Sequence, residues 1–106
     1  MFARNVAVRL RPNTLTEFNQ ILEKQVMPIM RKQAGFRDEL TLAAESGNFV
    51  NAISLWDSKE QADAYDKNVY PQVLKSLEKV LDGAPKVHVS NVITSTSHKL
   101  SVTIAA

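Results

Sequence analysis

The sequence predicts an α+β fold of the split β-α-β, ferredoxin-like kind: a four-stranded antiparallel sheet with two helices on one face. Three observations carry that reading. Alternating apolar segments open the chain at Phe2–Leu10 and recur near its end at Lys86–Thr96, and a hairpin-like pair, Phe36–Ala44 and Phe49–Trp56, lies between them. Two longer stretches with apolar residues at three- and four-residue steps separate these segments, giving the order β-α-β-β-α-β. The 106 residues, 44% hydrophobic and 23% charged, suit one globular domain, with its core over 2–96 and a tail over 97–106.

The first strand places Phe2, Arg4, Val6, Val8 and Leu10 on one parity. Pro12-Asn13 ends it, and Thr14-Leu15-Thr16-Glu17 reads as a capping box. A helix is then predicted over 15–33, with Leu15, Phe18, Leu22, Val26, Ile29 and Met30 forming its apolar stripe. Pro28 lies inside that stretch. It removes a backbone donor, so a kink is expected near Val26, and Gly35 supplies the stop. Leu40 and Leu42 share a face of the second strand, and Glu45-Ser46-Gly47-Asn48 suits the hairpin turn.

Ser58-Lys59-Glu60-Gln61 is a second capping box, opening a helix whose inner side carries Ala62, Tyr65 and Val69. Pro71 interrupts it. The stripe resumes through Val73, Leu74, Leu77, Val80 and Leu81 and closes at Gly83. The fourth strand follows. The tail alternates again through Leu100, Val102 and Ile104, which predicts a short fifth strand laid on a partner subunit.

Two helices cover only one face of such a sheet. The richest set, Val6, Val8, Leu10, Leu40, Leu42, Phe49, Ile53, Leu55, Val87, Val89 and Ile93, is assigned to the helices. The opposite face then carries Ala7, Ala43, Val50, Ala52, Trp56 and Val92 beside Arg9, Thr41, Ser54, His88 and Ser90. That mixed face suits burial against a second copy, so a homodimer is expected.

Several function classes are excluded. The net charge is +2, with the basic residues scattered and no run of five, so nucleic-acid binding is not expected. Without cysteine there is no disulfide, thiolate nucleophile or Cys-ligated metal. His88 and His98 are too isolated for a metal site. No apolar stretch nears the roughly 18 residues a membrane span needs. Residues 1–10 alternate and carry Arg4 and Arg9, unlike a signal peptide, so a cytoplasmic protein is the expectation. No phosphate loop or nucleophile elbow is present. Asp57, Asp63 and Asp66 suit the solvated start of a helix.

Two runs resemble a known family. They are Gln25-Val26-Met27-Pro28-Ile29-Met30 ahead of Ala34-Gly35-Phe36, and Ile53-Ser54-Leu55-Trp56-Asp57-Ser58-Lys59-Glu60-Gln61-Ala62. Both look like the antibiotic-biosynthesis monooxygenase family, whose members form dimeric α+β barrels. In element order the resemblance covers about Phe2 to Thr96. It implies a pocket between sheet and helices, and oxidation of small aromatic or quinol-type metabolites with no metal, flavin or other cofactor. The substrate's carbanion-like conjugate base passes an electron to oxygen inside a dry site.

Trp56 matches a pocket tryptophan of such enzymes, whereas two polar pocket positions carry Ala52 and Ala62 here. The alternative is therefore a non-catalytic small-molecule-binding or structural module of the same fold. Haem degradation is not expected: Tyr65 and Lys75 stand where that branch has a tryptophan and the ligating histidine, and Asn5 is one position off its asparagine. The substrate-pocket candidates are Trp56, Tyr65, Tyr70 and Asn91; Asn91 interrupts the apolar parity of its strand and is expected to be a buried amide.

Overall fold

The computed structural model describes residues 1–100. Its elements are β1 (Phe2–Arg9), α1 (Leu15–Ile21), a π-helical turn (Leu22–Val26), α2 (Met27–Arg31), β2 (Phe36–Ala43), β3 (Phe49–Trp56), α3 (Lys59–Asn68), α4 (Tyr70–Leu77) and β4 (Lys86–Asn91). The strands form an antiparallel sheet in the order β2-β3-β1-β4, the ferredoxin-like arrangement that the element order predicts. The helices lie on one face and enclose a core of Phe2, Val6, Val8, Phe18, Leu22, Val26, Met30, Val50, Trp56, Tyr65, Val73 and Leu77.

The predicted kink takes a specific form. Pro28 has no N–H for the carbonyl one turn earlier, and the chain widens into the π-helical turn directly before Met27, splitting the helix in two. Gly35 then adopts φ +80, and its carbonyl accepts from the Asp57 N–H at 2.8 Å. The first capping box does not form: the Thr14 hydroxyl donates to the Arg11 carbonyl at 2.7 Å instead of accepting from the helix. The second does form its main bond, with Ser58 Oγ accepting from the Gln61 N–H at 3.3 Å.

The second helix breaks at Val69 (φ −123), one residue before Tyr70-Pro71, and ends at Leu77 instead of running on to Gly83. Val80 and Leu81 are buried nonetheless. The loop that holds them bonds the end of β1, with Arg11 N–H to the Val80 carbonyl at 2.9 Å and Asp82 N–H to the Arg9 carbonyl at 2.8 Å. β4 stops at Asn91, short of the predicted Thr96. Among the described residues no strand follows it, and Val102 and Ile104 of the predicted fifth strand lie outside them.

One expectation is reversed. Residues paired directly across neighbouring strands share a face. Val6 pairs with Ala52, Arg4 with Ser54 and Phe2 with Trp56, so Val50, Ala52, Ser54 and Trp56 face the helices and Phe49, Ile53 and Leu55 do not. The register continues through Ser54–Glu39 and Ala52–Thr41, which turns Leu40 and Leu42 to the open face as well. Val87 and Val89 keep their assigned side, yet both are exposed at the sheet edge. The open face is therefore greasier than expected, with Leu40 58%, Leu42 49% and Phe49 48% exposed.

Candidate functional site

A cavity lies between the helices and the helix-facing side of the sheet. Val6, Val8, Phe18, Leu22, Val26, Met30 and Ala52 give it apolar walls. Val73, Leu74, Leu77 and Leu81 close it from the α4 side, and its polar lining is Arg4, Glu39, Ser54, Tyr65 and Tyr70. The space open to water centres is ≈ 50 Å³, room for roughly three or four waters. Glu39, Ala52, Tyr70 and Leu74 are the partly exposed lining residues and mark its mouth.

Strand pairing sets the polar groups in a row. Glu39 on β2, Ser54 on β3 and Arg4 on β1 are successive cross-strand partners on the helix-facing side. Arg4 is 3% exposed, and its Nη2 donates to Asp66 Oδ1 at 2.6 Å, a carboxylate that is itself half exposed. Its guanidinium carbon sits 4.0 Å from the Tyr70 ring centre and 5.3 Å from that of Tyr65. Ser54 Oγ accepts from Trp56 Nε1 at 2.9 Å.

The helix break at Val69 places both tyrosines here. Five residues along an unbroken helix turn a side chain by about 140° from its starting direction. The change of course between α3 and α4 brings Tyr70 back over the sheet beside Tyr65, with ring centres 6.3 Å apart.

The titrating groups respond to that enclosure. Burial pushes the Tyr65 phenol up to about 12 against the opposing Arg4 charge, and burial likewise raises Tyr70. Among the described residues the buried Tyr70 hydroxyl meets no geometric hydrogen-bond partner, while the Arg4 guanidinium beside it opposes the rise. Burial also raises the Glu39 carboxyl above the usual carboxylate range, while the Thr41 hydroxyl, donating to Oε1 at 2.6 Å, pulls it back.

Of the four residues singled out from sequence, Tyr65 and Tyr70 line the cavity. Trp56 is fully buried but does not reach it. It packs behind Tyr65 with ring centres 5.0 Å apart and meets Phe36 edge-on at 5.5 Å. Asn91 is exposed on β4 opposite Phe2, away from the cavity, so the expected buried amide is not observed: the helices do not extend over that edge of the sheet.

Sequence reasoning missed Arg4, Glu39 and Ser54. Arg4 did leave a signal, as the one charged residue on the otherwise apolar parity of its strand. Ala52 lines the cavity and Ala62 is buried in the core, so neither position brings a polar group to it. Among the described residues no group of three or more His, Asp or Glu side chains is placed to hold a metal, and no helix is long and apolar enough to cross a membrane.

No family model matches this sequence. No curated protein matches it either. Solved structures do. One is a monooxygenase from the gene ActVA-Orf6 of Streptomyces coelicolor, in complex with the ligand Nanaomycin D. It superposes with a TM-score of 0.76 at 18% identity, covering 89% of this chain and 88% of that one. A Bordetella bronchiseptica protein named as an antibiotic biosynthesis monooxygenase gives 0.75 at 12% identity, covering 88% and 97%. Rv0793 from Mycobacterium tuberculosis gives 0.70 at 16%, covering 90% and 97%. At these identities the likeness establishes a shared fold, which bears out the resemblance at the level of architecture.

Proposed function

We propose that the chain is a cofactor-independent monooxygenase that acts on a small aromatic or quinol-type metabolite and works as a homodimer. The observation that carries this reading is the cavity itself. Its walls are apolar, two tyrosines and a buried guanidinium converge on it, and it lies between sheet and helices. In such a site the substrate's conjugate base gives an electron to oxygen, and exclusion of water strengthens every polar contact with the developing charge. Tyr70 and Leu74, on the short helix after the Val69 break, stand at the mouth that an entering ring passes. The bound ligand of the Streptomyces coelicolor structure supports a small-molecule role for this fold.

Oxygen uptake with a panel of anthrones and hydroquinones tests the proposal. Substrate-dependent uptake should survive exhaustive chelation and fall about tenfold or more in Ala52→Leu, which fills the cavity. Ligand binding without uptake from any member would favour the second reading, a non-catalytic binding module of the same fold. Ala52 and Ala62, standing where the resembled enzymes carry polar groups, are the observation on its side.

A further inference from the structure

A charged side chain removed from water needs partners for its donors, or its burial is costly. The Arg4 side chain is almost wholly buried, and among the described residues its Nη2 donates to Asp66, which leaves further N–H groups of the guanidinium able to meet a ligand. Asp66 holds one end of the guanidinium towards the surface. The guanidinium carbon lies over the Tyr70 ring, 4.0 Å from its centre, and Arg4 also lines the cavity. On the same cross-strand row, one strand beyond Ser54, the Glu39 carboxyl lines that cavity too. A guanidinium and a carboxylate thus flank one small, mostly apolar space, and beside it lies the Tyr70 hydroxyl, which meets no geometric hydrogen-bond partner among the described residues.

We propose that Arg4 and Glu39 form an acid–base pair that takes up a small planar weak acid, an enol or a phenol, as its anion. The Glu39 carboxylate accepts the ligand's proton. The O–H bond of the ligand breaks, its electron pair stays on the ligand oxygen, and a new O–H bond forms on Glu39. The resulting oxyanion accepts hydrogen bonds from the N–H groups of Arg4 that do not serve Asp66, while Tyr65 and Tyr70 cover the ring. Both charge changes occur inside the site, so the net charge of the cavity is the same before and after. The groups facing Glu39 and Arg4 are Thr41 on β2, Tyr65 and Asp66 on α3, and Tyr70 on α4; Leu22, Val26 and Met30, opposite them, are apolar. This deepens the oxygenase reading by naming what the pocket binds, and it rests on that cavity being the ligand site.

The probe is 4-nitrophenol, a single ring whose anion alone absorbs in the visible and which oxygen does not consume. At about pH 6, where the free probe is mostly neutral, adding the wild-type protein should raise the phenolate band saturably. Arg4→Met should weaken that response at least about tenfold, and Arg4→Gln serves if the first variant does not fold. Asp66→Asn, which removes the competing surface carboxylate, should strengthen it several-fold. Calorimetry in two buffers of unlike ionisation enthalpy should find almost no proton released on binding to wild type and about one released on binding to Glu39→Gln. An unchanged phenolate band with wild type, or one indifferent to Arg4, would overturn the anion site. Release of about one proton by wild type would remove Glu39 as the acceptor. Because the probe is not oxidised, either failure leaves the oxygen-uptake test standing, and failure of oxygen uptake leaves this result intact.

Discussion

Trp56 and Tyr65 lie in contact but report on different physics. Trp56 is fully buried, and its indole N–H donates to the Ser54 hydroxyl. Trp56→Phe keeps most of the apolar contact but removes that donor and part of the volume. Urea unfolding should show a loss of about 2 kcal/mol, and Trp56→Ala should lose about 4. Tyr65 is a neutral phenol kept from ionising by its surroundings. The unfolded chain gives up this proton near 10, whereas the folded site holds it to about 12. Between those values the native state binds the extra proton, so its contribution to stability is complete below 10 and is lost as pH rises towards 12. A spectrophotometric alkaline titration should find one tyrosine ionising about two units late or only on unfolding, with the stability falling across the same window by on the order of 2 kcal/mol. Tyr65→Phe should flatten most of that slope.

At the scale of elements, the joints carry more information than the helices do. The turn from α2 into β2 needs Gly35 in the left-handed region. A Cβ added there would also meet the Gln61 side chain, with Oε1 at 2.0 Å, while the Gly35 carbonyl already holds the Asp57 N–H. Gly35→Ala should therefore cost about 1–3 kcal/mol and disturb the start of α3 along with the turn, visible as lost amide protection at Gln61. Pro28 and Pro71 interrupt the two helical segments at their predicted places. What the proline pattern does not reveal is the outcome of each interruption. One is absorbed by a π-helical turn within a continuing path. The other redirects the chain so that Tyr70 joins Tyr65 over the sheet.

For the whole molecule, the open side of the sheet sets the expectation. Leu40, Leu42 and Phe49 stand out from it, flanked by the half-buried Ile53 and Leu55, and a soluble monomer rarely leaves so continuous an apolar face in water. At about 25 cal/mol per Å², covering a few hundred Å² of it supplies several kcal/mol towards association before entropic costs. Sedimentation at micromolar concentration should find a dimer, and Leu42→Lys, which puts a charge among the exposed apolar side chains of that face, should shift the population to the 11.8 kDa monomer. A wild-type protein that sediments only as the monomer would contradict the homodimer.

The order of strands and helices, the two proline interruptions and the Gly35 stop could all be read from the sequence, because each depends on local periodicity or on one residue's backbone limits. Which side of the sheet meets the helices could not. On β3, Phe49, Ile53 and Leu55 outweigh Val50, Ala52, Ser54 and Trp56 in hydrophobicity, yet pairing with β1 sends the second set inwards. Hydrophobicity picks the wrong side because both sides are apolar, and because a cavity requires small or polar side chains such as Ala52 and Ser54 on the inner one. The meeting of Arg4, Ser54 and Glu39 is likewise a matter of register between strands far apart in the chain. No local pattern encodes it, since it exists only once the strands have paired.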